Sequence, residues 1–199
     1  MSLVEISRAL ISVSDKTGLI QLAAVLESFG IEIISTGGTM AVLAEANLKV
    51  IPVEQFTGMP EILGGRLKTL HPRVLGNLLS RLGNAQDAQD MDKVGGVAPI
   101  GLVVVNLYPF AEKLAAKALD VELIENIDIG GPAILRGAAK NHERVTAIHS
   151  PSQYDELCRE LLGNSGKTTL EFRRRCAGQV FVETSSYDKA IGDYLTGNS

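Results

Sequence analysis

Short apolar runs alternate with stretches of helical period along most of the chain. Residues 8–13, RALISV, are apolar and β-branched, and in the SDKTGLIQLAAVLESFG that follows, Leu19, Leu22, Ala23, Leu26 and Phe29 recur at the spacing of one helix face. Gly30 ends that predicted helix as a C-terminal cap, IEIIS (31–35) supplies a second strand, and GGTMAVLAEAN a second helix. LKVIPV (48–53) reads as a third strand. Residues 54–74 are rich in Gly and Pro without a sustained period, which predicts a long loop, and long ordered loops usually carry function. NAQDAQDMDKVG is polar and helix-compatible, an exposed connection into IGLVVVNLYPF, the most strand-like segment. There Ile100 and the run Leu102 to Val105 predict a central strand covered on both faces. FAEKLAAKA, DVELIENI and PAILRGAAKNH read as helical, RVTAIH as a further strand, PSQYDELCRELL as a helix, and residues 168–194 as largely helical. Such alternation implies one α/β domain over 1–199, a mainly parallel sheet with helices on both faces and right-handed crossovers. In open sheets of this kind ligands sit at the carboxyl ends of the strands, against helix N-termini that carry partial positive charge.

The totals narrow the classes of partner. With 199 residues, 45% of them hydrophobic, the chain can bury one substantial core. A net charge of −4, with 19 basic residues spread along the chain, argues against nucleic acid as a partner and predicts that any bound anion is small. The start lacks a basic segment followed by an uninterrupted apolar run, and no stretch approaches a membrane span, so a soluble cytoplasmic protein is expected. Cys158 and Cys176 are widely spaced and read as reduced and structural. His71, His142 and His149 form no metal-binding pair, and no G-x-S-x-G surrounds a serine. GNSGKTT (163–169) ends like a triphosphatase phosphate loop, but Leu161 stands where that pattern needs Gly and the segment follows a helix.

Five segments remain as candidate chemistry. SVSDKTG and STGGT each place hydroxyls, small residues and backbone amides where a strand enters a helix; Ser14, Asp15, Ser35 and Thr36 either cap those helices or receive a phosphate. LGGRLKTLHPRV sets Arg66, Lys68, His71 and Arg73 on one loop, with Gly64 and Gly65 permitting close backbone approach and Pro72 stiffening the chain. NLYPF offers the Asn106 amide and the Tyr108 phenol at the end of the central strand, with Pro109 placed to open a helix. In NIDIGGPAILRGAAKNHERV, Asp128 is either a local cap or a charge partner, and Lys140 either an exposed neighbour of Arg136 or a cation in an apolar segment that needs Asp128 to balance it.

Taken together and in order, SVSDKTG, STGGT, GGRLKTLHP, NLYPF and IDIGG…LR-AAKNH resemble the IMP cyclohydrolase domain of the bifunctional purine-biosynthesis enzymes, from about Arg8 to Tyr194. The resemblance implies a methylglyoxal-synthase-like three-layer fold. It also implies closure of 5-formamidoimidazole-4-carboxamide ribonucleotide to inosine monophosphate with loss of water, with no metal and no organic cofactor. By the same resemblance the 5′-phosphate rests on Ser12, Ser14, Lys16 and Thr17 and on Thr36, Gly37, Gly38 and Thr39, and Arg66 and Thr69 complete the pocket. Asn106, Leu107, Ile129 and Gly130 add contacts. Lys140 is implied as general acid/base, Asp128 as its partner and a ligand to the carboxamide, Tyr108 as part of the proton relay and Lys68 as the stabiliser of developing charge. A homodimer is implied, as is a transformylase domain on the same chain, which is absent after Ser199. Thr36 stands where Ser is frequent, and Gly137 where Ala is usual, a change costing up to ~1 kcal/mol in a helix interior. Two rivals share the fold by resemblance: methylglyoxal synthase, which needs catalytic aspartates in other motifs, and a nucleotide-sensing domain like that of carbamoyl phosphate synthetase, which need not carry Lys140, Tyr108 and Asp128 together.

Overall fold

The computed structural model describes residues 2–96 and 99–197; Met1, Val97, Ala98, Asn198 and Ser199, which the one-domain expectation also covers, lie outside the described residues. In chain order the elements are β1 (Leu3–Glu5), β2 (Arg8–Val13), α1 (Leu19–Ser28), β3 (Glu32–Ser35), α2 (Gly37–Glu45), β4 (Val50–Pro52), α3 (Val53–Thr57), α4 (Pro72–Leu79) and α5 (Ala85–Lys93). They continue with β5 (Leu102–Asn106), α6 (Phe110–Ala115), α7 (Asp120–Glu125), α8 (Gly130–Lys140), β6 (Thr146–Ile148), α9 (Tyr154–Gly163), β7 (Lys167–Thr169) and α10 (Leu170–Leu195).

Five strands form a parallel sheet in the order β4-β3-β2-β5-β6. The alternation of side chains along each strand explains why these segments had to be covered on both sides. On one face Ala9, Ile11, Val13, Ile33, Leu102, Val104 and Ile148 pack with residues of α1, α2 and α9, among them Leu22, Leu26, Leu43 and Leu157. On the other, Leu10, Ile34, Val103, Val105 and Ala147 pack with Val74 and Leu78 of α4, Ile134, Leu135 and Ala138 of α8, and Val180 of α10. Each large apolar side chain so buried contributes roughly 1.5–3 kcal/mol, and the two layers together fix the sheet's plane. The expected α/β class with helices on both faces is therefore what the chain adopts.

Two expectations need correcting. Residues 54–74 are not one loop: α3 occupies Val53–Thr57, a 3-10 turn spans Leu63–Gly65, an isolated bridge joins Ile62 to Leu67, and α4 starts at Pro72. These pieces are too short for a period to show; α3 has five residues and α4 buries only Val74, Asn77 and Leu78. The chain also begins in a strand that no pattern announced, with β1 pairing antiparallel to β7 in a separate two-stranded sheet. Beside that pair the fully buried Arg173 donates to the carbonyls of His142, Glu143 and Thr168, so backbone oxygens satisfy it in place of a carboxylate.

Candidate functional site

The strand order reverses direction between β2 and β5: from β2 the chain moves outward through β3 and β4, and from β5 it moves the other way to β6. At such a switch point the loops leaving the two central strands diverge and open a crevice at their carboxyl ends. A cavity of about 860 Å3 lies there. Five segments far apart in sequence line it: Ser12–Lys16, Thr36–Thr39, Glu61–Thr69, Asn106 with Tyr108, and Ile124–Ile134.

One end is built from β2, β3 and the start of α2. The Ser12 and Thr36 hydroxyls hydrogen-bond each other at 2.8 Å, and Thr39 both accepts from the Val13 amide and donates to the Val13 carbonyl at 3.0 Å. Thr36 occupies the N-cap position of α2 with extended backbone, yet its side chain makes no cap bond, so capping does not account for its hydroxyl. Ser14 and Asp15 do not cap α1 either; the N-cap there is Gly18. Gly37, with φ of 44°, starts α2 in the left-handed region that glycine adopts without strain. Asn106 anchors the opposite wall: its Oδ1 accepts from the amides of Ser14 (2.6 Å) and Asp15 (3.0 Å), and its Nδ2 donates to the Asp15 carbonyl at 2.9 Å. Asn106 thus serves chiefly to hold the β2–α1 loop. Lys16 Nζ lies over the Val13 and Ser14 carbonyls at 3.4 and 3.3 Å. A helix N-terminus, two hydroxyls and a lysine at one place make a receptor for a phosphate.

The other end carries the groups suited to proton transfer. Lys68 bridges the two ends: its Nζ comes within 3.9 Å of where a Gly37 side chain would begin, at the phosphate end, faces Glu61 at 3.5 Å, and its charge acts on Asp128. Arg66 pairs with Glu125 at the exposed rim. Asp128 Oδ1 accepts from the Gly131 amide at 2.8 Å, while its other oxygen lies where a Gly131 Cβ would come within 2.3 Å. Only glycine fits there. A side chain at Gly130 would meet the Thr69 hydroxyl at 3.2 Å, a tighter contact than usual but short of a clash. Burial pushes the Asp128 carboxyl above the ordinary 3.8, opposed by the Gly131 amide and by the Lys68 charge. Tyr108, partly exposed, lines the cavity between these groups and Asn106.

Of the residues expected at the site, Ser12, Ser14, Lys16, Thr36, Gly37, Gly38, Thr39, Arg66, Lys68, Thr69, Asn106, Tyr108, Asp128, Ile129 and Gly130 all line this cavity. Thr17 sits just outside, its amide donating to Asp15. Leu107 turns to a neighbouring cavity of about 620 Å3, where His149, Glu183 and Tyr187 also lie, and its carbonyl accepts from Ser14 Oγ at 2.9 Å. Lys140 is the main correction. It is the exposed last residue of α8, ten residues beyond Gly130 and so about 15 Å along the helix axis from the end that lines the cavity. It neither meets Asp128 nor sits in a buried apolar setting, so the charge-pairing argument for it lapses. The LGGRLKTLHPRV cluster also divides: His71 caps α4 by accepting from the Arg73 amide at 3.1 Å, and Arg73 donates to the carbonyls of Val94, Phe56 and Thr57. Glu61, Glu125 and Ile124 join the lining without any prior signal, being ordinary surface types on short elements. Among the described residues, no group of three or more His, Cys, Asp or Glu side chains could hold a metal ion, and no helix is long and apolar enough to cross a membrane.

Comparison with known proteins gives the following. Residues 18–133 match the MGS-like domain family, and residues 138–199 match the AICARFT/IMPCHase bienzyme family. The bifunctional purine biosynthesis protein PurH of Rippkaea orientalis is 53% identical over 94% of this chain, that of Trichormus variabilis 50% over 95%, and that of Leptospira biflexa 47% over 97%. The chain spans only 36% to 38% of the length of these relatives. The crystal structure of ForH superposes with a TM-score of 0.81 at 32% identity, covering 96% of this chain and 99% of that one.

Proposed function

Because this chain belongs to the MGS-like domain family, we propose that it is an IMP cyclohydrolase unit, closing 5-formamidoimidazole-4-carboxamide ribonucleotide to inosine monophosphate. The observation that carries this proposal is the convergence of five separate segments on one cavity with a phosphate-binding end and a proton-transfer end. The near-half identity to bifunctional purine biosynthesis proteins over almost all of the chain supports the same substrate. Methylglyoxal synthase and a pure sensor are the weaker alternatives, since neither explains Lys68, Tyr108 and Asp128 facing one space beside the phosphate wall.

In this mechanism the 5′-phosphate occupies the Ser12, Lys16 and Thr36–Thr39 end, which sets the imidazole toward Lys68, Thr69 and Asp128. The carboxamide nitrogen attacks the formyl carbon, forming the new C–N bond as that nitrogen loses a proton. Negative charge grows on the formyl oxygen, and Lys68, with the positive end of α8, stabilises it. That oxygen is then protonated and leaves as water, as the former formamide nitrogen gives up its proton. Asp128 accepts and returns protons, a task favoured by a carboxyl that burial raises above its ordinary value, and Tyr108 relays them. Since the reaction is intramolecular, the site's contribution is orientation and a fixed field.

Within its own chain Lys140 stands at the far end of α8 from the cavity. The acid/base role that the resemblance assigns it is open only from a second copy, in the homodimer that the proposal includes. The transformylase unit and a cytoplasmic setting belong to the proposal as well. The test is to supply the formamido ribonucleotide to the purified chain and follow inosine monophosphate by absorbance. Turnover that Lys68→Ala abolishes supports the assignment; tight product binding with no turnover supports the sensor and rejects it.

A further inference from the structure

Asp128 sits on the short connection between α7 and α8, a place where backbone is poorly restrained unless something holds it. What holds it comes from α10. The Tyr187 hydroxyl accepts from the Asp128 amide at 2.8 Å and donates to the Asn126 carbonyl at 2.9 Å. A single hydroxyl thus grips the chain on both sides of Ile127. The ring that carries it is itself fixed, 91% buried in a satellite cluster with Phe110 and Leu123 and edge-on to Phe110 at 6.4 Å and 72°. With the Gly131 amide holding the carboxyl from the α8 side, Asp128 is restrained through its side chain and, by Tyr187, through its main chain.

We infer that Tyr187 is a positioning residue for the reaction: its hydroxyl clamps the Asn126–Asp128 turn and thereby fixes where the Asp128 carboxyl meets the substrate. This rests on the cyclohydrolase proposal and extends it, since Tyr187 lines the neighbouring cavity and not the proposed nucleotide site. Without the hydroxyl, the Asp128 amide and the Asn126 carbonyl lose their partner, and the turn relaxes around Ile127. The ring's contacts with Phe110 do not depend on that hydroxyl, so Tyr187→Phe removes the clamp while preserving the packing.

The test is a double-mutant cycle of Tyr187→Phe and Asp128→Asn, read as turnover of the formamido ribonucleotide. In the otherwise unaltered protein Tyr187→Phe should lower kcat about ten-fold, the scale expected of a sub-ångström misplacement, with KM changed by no more than about two-fold. In the Asp128→Asn background the same substitution should have no further effect on kcat, since the group it positions is gone. An equal loss of kcat in both backgrounds, or a wild-type kcat in Tyr187→Phe, overturns the proposal. Hydrogen exchange of the Asp128 amide gives a readout that needs no activity: it should be protected in the wild type and about ten-fold faster in Tyr187→Phe. An unprotected Asp128 amide in the wild type rejects the clamp outright, even if Tyr187→Phe proves too unstable to assay. Absence of turnover in the wild type would instead reject the cyclohydrolase reading, leaving the clamp to be judged by exchange alone.

Discussion

Asp128 bears two opposed demands. Burial raises its carboxyl above the ordinary value, as the proposed proton transfer asks, yet it keeps the Gly131 amide and the Lys68 charge as partners. Because its folded-state pKa is raised above 3.8, its contribution to stability is fully present below that value and is lost as pH rises through the raised one. The ionised carboxylate therefore destabilises the fold at neutral pH. Asp128→Asn, which can still accept from Gly131, should raise the melting temperature slightly at pH 7, with the gain vanishing below pH 3.8, while turnover falls steeply to a low but measurable rate. A lower melting temperature at pH 7 would show that the charge stabilises the site. The sequence pointed to Asp128, Lys68 and Tyr108, which all line the cavity, because each belongs to a motif on a connecting segment between elements. The expected pairing of Lys140 with Asp128 inside one chain does not form, since the two lie at opposite ends of about 15 Å of helix, and the sequence offered no sign of Tyr187, an aromatic 59 residues from Asp128.

At the scale of elements, α8 links site and core. Its first residues face the cavity, and its buried residues pack on α4 and the sheet. Gly137 lies in that packed stretch, and a Cβ there would meet Leu79, Leu75 and Leu78 of α4 at 3.9 to 4.0 Å, ordinary contact distances. Gly137→Ala should therefore stabilise the protein by up to ~1 kcal/mol through the lower backbone entropy of alanine, raising the melting temperature by roughly 2–4 °C without altering turnover. Destabilisation would mean that α4 and α8 are packed too tightly to yield. Gly131 contrasts with it, because the Asp128 carboxylate occupies the space a side chain needs. The long elements were legible from periodicity, and the five parallel strands from their apolar runs. Segments α3, α4, β1 and β7 were not, because three to eight residues carry too little pattern and their places are set by contacts distant in sequence, such as β1 with β7.

For the whole molecule, the strand order explains why one cavity can draw on five segments: the reversal between β2 and β5 brings their carboxyl ends to a common opening. Under the proposed reading, Lys140 acts on the cavity of a second copy. Lys140→Ala and Lys68→Ala are each expected to be inactive alone, but mixed and allowed to exchange subunits they should recover about a quarter of wild-type activity, since half of the dimers are mixed and each holds one intact site. No recovery would remove Lys140 from the reaction. The central claim is that the cavity at the strand reversal holds a nucleoside monophosphate with its phosphate at the β2–β3 end and its base at the α8 end. A crystal structure with inosine monophosphate tests this most directly. The account predicts the phosphate against Ser12, Lys16 and the amides of Gly37 and Gly38, and the base beside Lys68 and Asp128. A nucleotide bound elsewhere, or reversed in this cavity, would contradict it.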